Sequence, residues 1–305
     1  KEAKGKIPLD FSKEAKALIS EQDAERTIQR YEKLTDKIFG EDAKKVYNHI
    51  AFSYYRLGRY EKMISILEKI ISINPQNAIA YFNWGFALGE LGKHQEAIEK
   101  YKKAIDLKPD YAEAYYNWGF ALGELGKHEE EIEKYQKAIE LKPDDASAYN
   151  NWGAALGELE KHQEAIEKYK KAAEIKPDYA EAYYNWAFAL GELGQHEEEV
   201  EKYKKAAEIE PDDVDVYYNW GAALDELGQY QESIEKYKKA IDLKPDYADA
   251  YYNSACVFAK LRDKIQMLEY LKYAIKFDNK NKGQAKADEN FRDFWEDPDF
   301  KKLVE

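Results

Sequence analysis

Five tryptophans fall at Trp84, Trp118, Trp152, Trp186 and Trp220, each 34 residues after the one before. Their surroundings recur as well, and the stretch from Asn83 to His94 returns letter for letter as Asn117 to His128. Prolines keep the same beat at Pro75, Pro109, Pro143, Pro177, Pro211 and Pro245. A chain of 305 residues would ordinarily suggest two globular domains. A fixed period of this length instead builds a stack of like units, each supported by its neighbours.

Each unit reads as a helical hairpin. Pro109 ends one helix, and Asp110 with Glu113 has the spacing of a capping box that starts the next. Asp178/Glu181 and Asp246/Asp249 repeat that spacing. Ala114, Tyr115, Trp118, Leu122 and Leu125 fall at helical intervals, and Gly126 supplies a left-handed stop. A second helix is predicted over about Glu129–Leu141, with Ile132, Tyr135, Ala138, Ile139 and Leu141 as its apolar stripe. Its other face is Glu and Lys, with Glu133 four residues before Lys137, which reads as a solvated surface. An interior helical glycine costs about 1 kcal/mol against alanine. Gly119 and its equivalents therefore predict a close helix approach, filled by the Trp and Tyr rings. Glu131 and Glu199 depart from the pattern where Ala97 and Ala165 stand, and Glu160 replaces the turn glycine. If Glu160 is left-handed it costs roughly 1 kcal/mol.

The set Tyr115, Trp118, Gly119, Leu122, Ala138 and Pro143 resembles the tetratricopeptide repeat (TPR) family, with the usual Trp and Leu of the first helix appearing as Tyr and Trp. The resemblance implies an all-α fold, a right-handed superhelical solenoid of helix–turn–helix hairpins. Seven tandem units are expected over residues 44–281, the outer two worn by Ile50, Ser254 and Asn279. Residues 1–43 are expected to form an N-terminal helical cap or degenerate repeat, with helices over 12–19 and 21–39. Residues 282–305 are similar to the closing segment of microbial TPR proteins, with Phe291, Phe294, Trp295, Phe300 and Leu303 as the seal.

Chemistry is hard to find. His94, His128, His162 and His196 recur with the period, but equivalent sites lie roughly 10 Å apart, the spacing of packed helices. Zinc needs its ligands at about 2.1 Å. Each histidine reads as a substitute for the turn aromatic seen at Tyr60 and Tyr230. Phosphate loops, nucleophile elbows and cysteine clusters are absent, and Cys256 stands without an acid–base partner in the sequence. No catalytic residue, metal site or cofactor is expected, and the chain reads as non-enzymatic. Net charge is −13, split into about +3 over residues 1–77 and about −16 over 78–305. An acidic body repels phosphates, so nucleic acid and membrane are not the expected partners. A protein or peptide of basic and apolar character is. A single cysteine suits a reducing compartment. A cytoplasmic place is therefore favoured, while an exported one stays open because the chain starts at Lys1 and not at methionine, as it would if a signal peptide or tag had been removed upstream.

The family resemblance places function on the concave face lined by the first helices. It implies a peptide-binding groove of Phe82, Tyr116, Asn150, Tyr184 and Tyr218, followed by the column Asn83, Asn117, Asn151, Asn185 and Asn219. One turn on come Phe86, Phe120, Ala154 and Phe188, with an acidic rim of Glu90, Glu124, Glu158, Glu192 and Glu226. The asparagines have two readings, clamping a peptide backbone or bonding helix to helix within the array. A clamp for C-terminal carboxylates, which the family builds from Lys and Arg, is not expected among these residues. Ala154, between the flanking rings of Tyr116, Phe120, Tyr184 and Phe188, is expected to floor a notch. The favoured function is an adaptor or scaffold binding a peptide or protein segment. Self-assembly, with the tail or the basic first unit of one molecule docking on the acidic array of another, or service as the targeting half of a larger enzyme, are the alternatives.

Overall fold

The computed structural model describes residues 21–32 and 40–305. Among the described residues every regular element is helical, and the chain is an all-α helical repeat solenoid. It divides into two compact units, Lys1–Glu160 and Lys161–Glu305. In the first unit α1 (Glu21–Glu32) precedes three hairpins: α2 (Gly40–Arg56) with α3 (Tyr60–Ile73), α4 (Ala78–Glu90) with α5 (His94–Leu107), and α6 (Ala112–Gly123) with α7 (His128–Leu141). Helix α8 (Ala146–Glu158) closes it. The second unit runs α9 (His162–Ile175), α10 (Ala180–Glu192), α11 (His196–Ile209), α12 (Val214–Glu226), α13 (Tyr230–Leu243), α14 (Ala248–Lys260) and α15 (Lys264–Phe277). It ends in the short α16 (Asn281–Ala285), a 3-10 turn (Glu289–Phe294) and α17 (Pro298–Val304). The helix expected over 12–19 lies outside the described residues. The one expected over 21–39 is seen as α1, and its remainder lies outside them too.

The capping box needs correcting. Asp110, Asp178 and Asp246 sit one residue too early to cap, because Tyr111, Tyr179 and Tyr247 occupy the N-cap position and make no side-chain cap bond. Ring packing takes over there: Tyr111 lies 4.9 Å from Phe82 and Tyr247 lies 5.1 Å from Tyr218 between centroids. The alternate repeats do carry a capping oxygen, on Asn77, Asp145 and Asp213, each accepting a backbone N–H in the first turn.

The close helix approach is real, but tyrosine alone fills it. A Cβ on Gly85 would stand 2.6 Å from the Tyr101 ring, and one on Gly119 would stand 2.9 Å from Tyr135. The tryptophans lie elsewhere, and Trp118, Trp152, Trp186 and Trp220 each stack on the tyrosine three residues before. The lysine sixteen residues on lies over the ring: Lys100 is 3.8 Å from the Trp84 centroid and Lys236 is 4.0 Å from that of Trp220. The Trp rings are half-buried under these lysines, and a cation over an aromatic face contributes about 0.5–1 kcal/mol.

Gly126 is left-handed at the end of its helix, as its position predicts, and Glu160 holds the same conformation at φ 59°. Arg262 does so as well, at φ 61°. The end of the second unit is sealed by Phe291, Phe300 and Val304, buried against Tyr252 and Leu271, with Phe294, Trp295 and Leu303 partly buried beside them.

Candidate functional site

Helical spacing fixes which residues share the first-helix face. Glu181, Tyr184, Phe188 and Glu192 follow at steps of three and four along α10, so they line one side of it. Asp215, Tyr218, Ala222 and Glu226 do the same on α12.

In the first unit most of the expected groove residues are interior. Phe82, Asn83, Phe86, Tyr116, Asn117, Asn150 and Asn151 are buried, and only Phe120 and Ala154 keep partial exposure. These seven side chains are packed between helices, so they back the surface and do not present themselves to a ligand. The second unit is more open. Tyr184, Asn185, Tyr218 and Asn219 are partly exposed, and Phe188 is 52% exposed where its equivalent Phe86 is 7%. At the position of the expected notch Ala154 is half-buried on α8, with Tyr116 buried and Phe120 half-buried one repeat before it.

Tyrosine and asparagine columns bond to each other. Asn151 Nδ2 donates to the Tyr116 hydroxyl at 2.8 Å, Asn219 to Tyr184 at 3.0 Å, and Asn253 to Tyr218 at 3.0 Å. These bonds tie one first helix to the next. Around them the exposed carboxylates act on the phenols: burial and then the Asp215 charge hold Tyr184 above the ordinary phenol range, and burial and Asp249 do so for Tyr218.

The rim glutamates also have neighbours that sequence reasoning missed. Tyr60 donates from its hydroxyl to Glu90 at 3.0 Å, and His94 Nε2 lies 3.9 Å from Glu124. Turn residue and rim residue stand 30 apart, a spacing that a search along the helices could not see. Glu131 and Glu199 are buried, each bonded to the histidine three residues earlier, His128 at 2.9 Å and His196 at 2.8 Å. Burial pushes both carboxyls up, opposed by the histidine hydrogen bond and charge. Nearby Glu158 pushes Glu131 further, and Glu226 and Glu192 do the same to Glu199. Their room comes from Gly123 and Gly191, where a Cβ would stand 2.6 Å and 2.8 Å from the glutamate oxygen.

Among the described residues no three His, Cys, Asp or Glu side chains converge to hold a metal ion, and no helix is long and apolar enough to cross a membrane. Cys256 is buried, and burial followed by the Asp288 charge raises its thiol, the opposite of what a nucleophile needs.

The sequence matches the TPR repeat family over residues 88–126, 123–159, 158–194, 189–228 and 223–261. Residues 44–77 and 66–99 match as tetratricopeptide repeats. No curated protein sequence matches the chain. Among solved structures, the MamA protein is 30% identical with a TM-score of 0.51, over 55% of this chain and 92% of that one. YrrB, described as a TPR protein with an unusual peptide-binding site, is 26% identical with a TM-score of 0.52, over 60% of this chain and 95% of its own. The C-terminal part of a TPR repeat-containing protein from Cytophaga hutchinsonii has a TM-score of 0.66 at 16% identity, over 76% of this chain and 96% of that one, and shows the fold alone.

Proposed function

The chain belongs to the tetratricopeptide repeat family, and on that basis we propose that it is a non-enzymatic interaction scaffold. Its first-helix face in the second unit takes a peptide or protein segment with basic and apolar side chains. The observation that carries this reading is Phe188, a large ring 52% exposed on the face that also holds Glu192. Asp215, Glu192 and Glu226 are exposed as well, so an apolar contact is offered inside a field of carboxylates. An arginine or lysine next to an apolar side chain satisfies both at once, through the ring face and through the acids. YrrB, a relative by structure, is itself described as having a peptide-binding site, which favours the same use here.

Selection from a random peptide library on the immobilised chain tests the reading. Enrichment of Lys- and Arg-bearing sequences with apolar neighbours is expected, with binding reduced at least roughly tenfold by Phe188→Ser. Enrichment of acidic sequences, or equal binding to the Phe188→Ser variant, contradicts it.

A further inference from the structure

Two second helices carry a carboxyl where their neighbours carry a small residue. Glu131 and Glu199 stand at the position of Ala97, Ala165 and Ser233. A carboxyl packed between helices is costly unless it is well paired or neutral. Glu199 is 7% exposed, and among the described residues its ion pair is to His196 Nδ1 at 2.8 Å. That bond survives in either charge state. A protonated carboxyl donates to Nδ1, and an ionised one accepts from an Nδ1–H.

Glu199 lies against the helix that presents Phe188. Its carboxylate packs on Gly191 of α10, where a Cβ would stand 2.8 Å from the glutamate oxygen. Gly191 is three residues from Phe188, a neighbour on the helix surface, and is followed by Glu192. The charged groups acting on the Glu199 carboxyl are His196 on its own helix, Glu192 on α10 and Glu226 on α12. The phenol of Tyr203 stands one turn along α11, with Tyr184 packed on it at 5.7 Å. The first turn of α11 also carries Glu197 and Glu198, both exposed. Burial raises Glu199, the hydrogen bond and charge of His196 oppose this, and Glu226 and Glu192 add to the rise. Glu192 and Glu226 are themselves exposed on the rim, so a basic segment meets them directly.

We propose that binding at the first-helix face of the second unit is proton-linked through Glu199: a lysine or arginine of the bound segment, settling at Glu192 and Glu226, makes the Glu199 carboxyl give up its proton to water. The inference rests on that face taking a basic segment. The cation offsets the two negative charges that help to hold the proton on, and a buried carboxyl feels that change with little screening by salt. A ligand that releases a proton binds more tightly as pH rises. The face therefore engages its partner at higher pH and lets go as pH falls. Glu131 has the same pairing, to His128 at 2.9 Å, but the rim carboxylate acting on it is Glu158 of the first unit, whose groove side chains are mostly packed between helices. Glu131 is therefore an internal control with the same chemistry away from the binding face.

The probe is a labelled synthetic peptide with blocked ends that alternates Lys pairs with Leu and Phe, so its own charge stays constant over the window used. It is titrated into the full chain by fluorescence anisotropy from about pH 5, above the ordinary carboxylate range, to about pH 8. Calorimetry in buffers of different ionisation enthalpy counts the protons released. Affinity should gain at least roughly threefold more across that window in the parent than in Glu199→Gln, and the variant should release fewer protons. Glu131→Gln should keep the slope of the parent. If Glu199→Gln does not fold, Glu199→Ala, which follows Ala97 and Ala165, should show the same flattening. An equal slope and proton count in parent and Glu199→Gln overturns the linkage, and so does an equal flattening by Glu131→Gln. Failure of the face itself reads differently: the peptide would bind Phe188→Ser as tightly as the parent, and the linkage would fall with it.

Discussion

Asn151 on α8 donates its amide to the hydroxyl of Tyr116 on α6, 2.8 Å away and one repeat back along the chain. Both side chains are buried, so water cannot easily replace the bond. Tyr116→Phe removes the acceptor and leaves a buried donor unsatisfied, a loss of about 1–3 kcal/mol. The equivalent Tyr184→Phe acts on a partly exposed bond to Asn219 and should cost under about 1 kcal/mol. Urea unfolding of the two variants checks the ranking, and an equal or reversed order would contradict the burial argument.

Three glycines in the same sequence context should respond differently to alanine. A Cβ on Gly89 meets the Tyr101 hydroxyl at 3.9 Å, an ordinary contact, so Gly89→Ala should stabilise by up to about 1 kcal/mol. Gly123→Ala and Gly191→Ala would collide with Glu131 and Glu199 and should destabilise. Adding Glu131→Ala should rescue Gly123→Ala, and a double-mutant cycle without coupling would show that the glutamate is not the obstacle.

Glu131 and Glu199 give stability a pH dependence of known sign. Burial raises both carboxyls above their unfolded values. The folded state therefore holds these protons more tightly, and the contribution is fully present below the unfolded carboxylate value. It is lost as pH rises through the raised folded value. Glu131→Gln keeps an acceptor for His128 but cannot ionise, so it should be more stable than the parent at neutral pH. The advantage should vanish as pH falls to about 4. Melting curves across that window decide it, and a constant difference would mean the carboxylate is not strained by burial.

Glu160 and Arg262 each hold a left-handed backbone that glycine adopts freely at Gly92, Gly126, Gly194 and Gly228. Glu160→Gly and Arg262→Gly should each raise stability by about 1 kcal/mol. Thermal melts of the single variants measure this, and no gain at either site would mean local contacts outweigh the strain.

Most of the fold was legible because it is periodic. The Trp, Pro and Gly spacing is one-dimensional information, and it yields hairpins, turns and family directly. Capping was misread at Asp110 because Pro-Asp sits one residue ahead of the true cap, and Tyr111 leaves no polar signature. Arg262 escaped notice because the last repeat had already drifted from the others. The candidate site was less legible. Spacing names the residues on a helix face but says nothing of how deeply the next helix covers them. Phe86 and Phe188 share a pattern and differ widely in exposure. The tie between Tyr116 and Asn151 needs the relative placement of two helices, which no window along one helix contains.

Photo-crosslinking from the face itself tests the scaffold reading most directly. Phe188 is replaced by p-benzoylphenylalanine, and in a separate protein the outward-facing Lys205 is replaced instead. Each is irradiated with a peptide from the library selection. Crosslinks from position 188 and none from position 205 are the predicted result. Crosslinking from position 205 alone, or equally from both, would contradict a binding face on the first helices of the second unit.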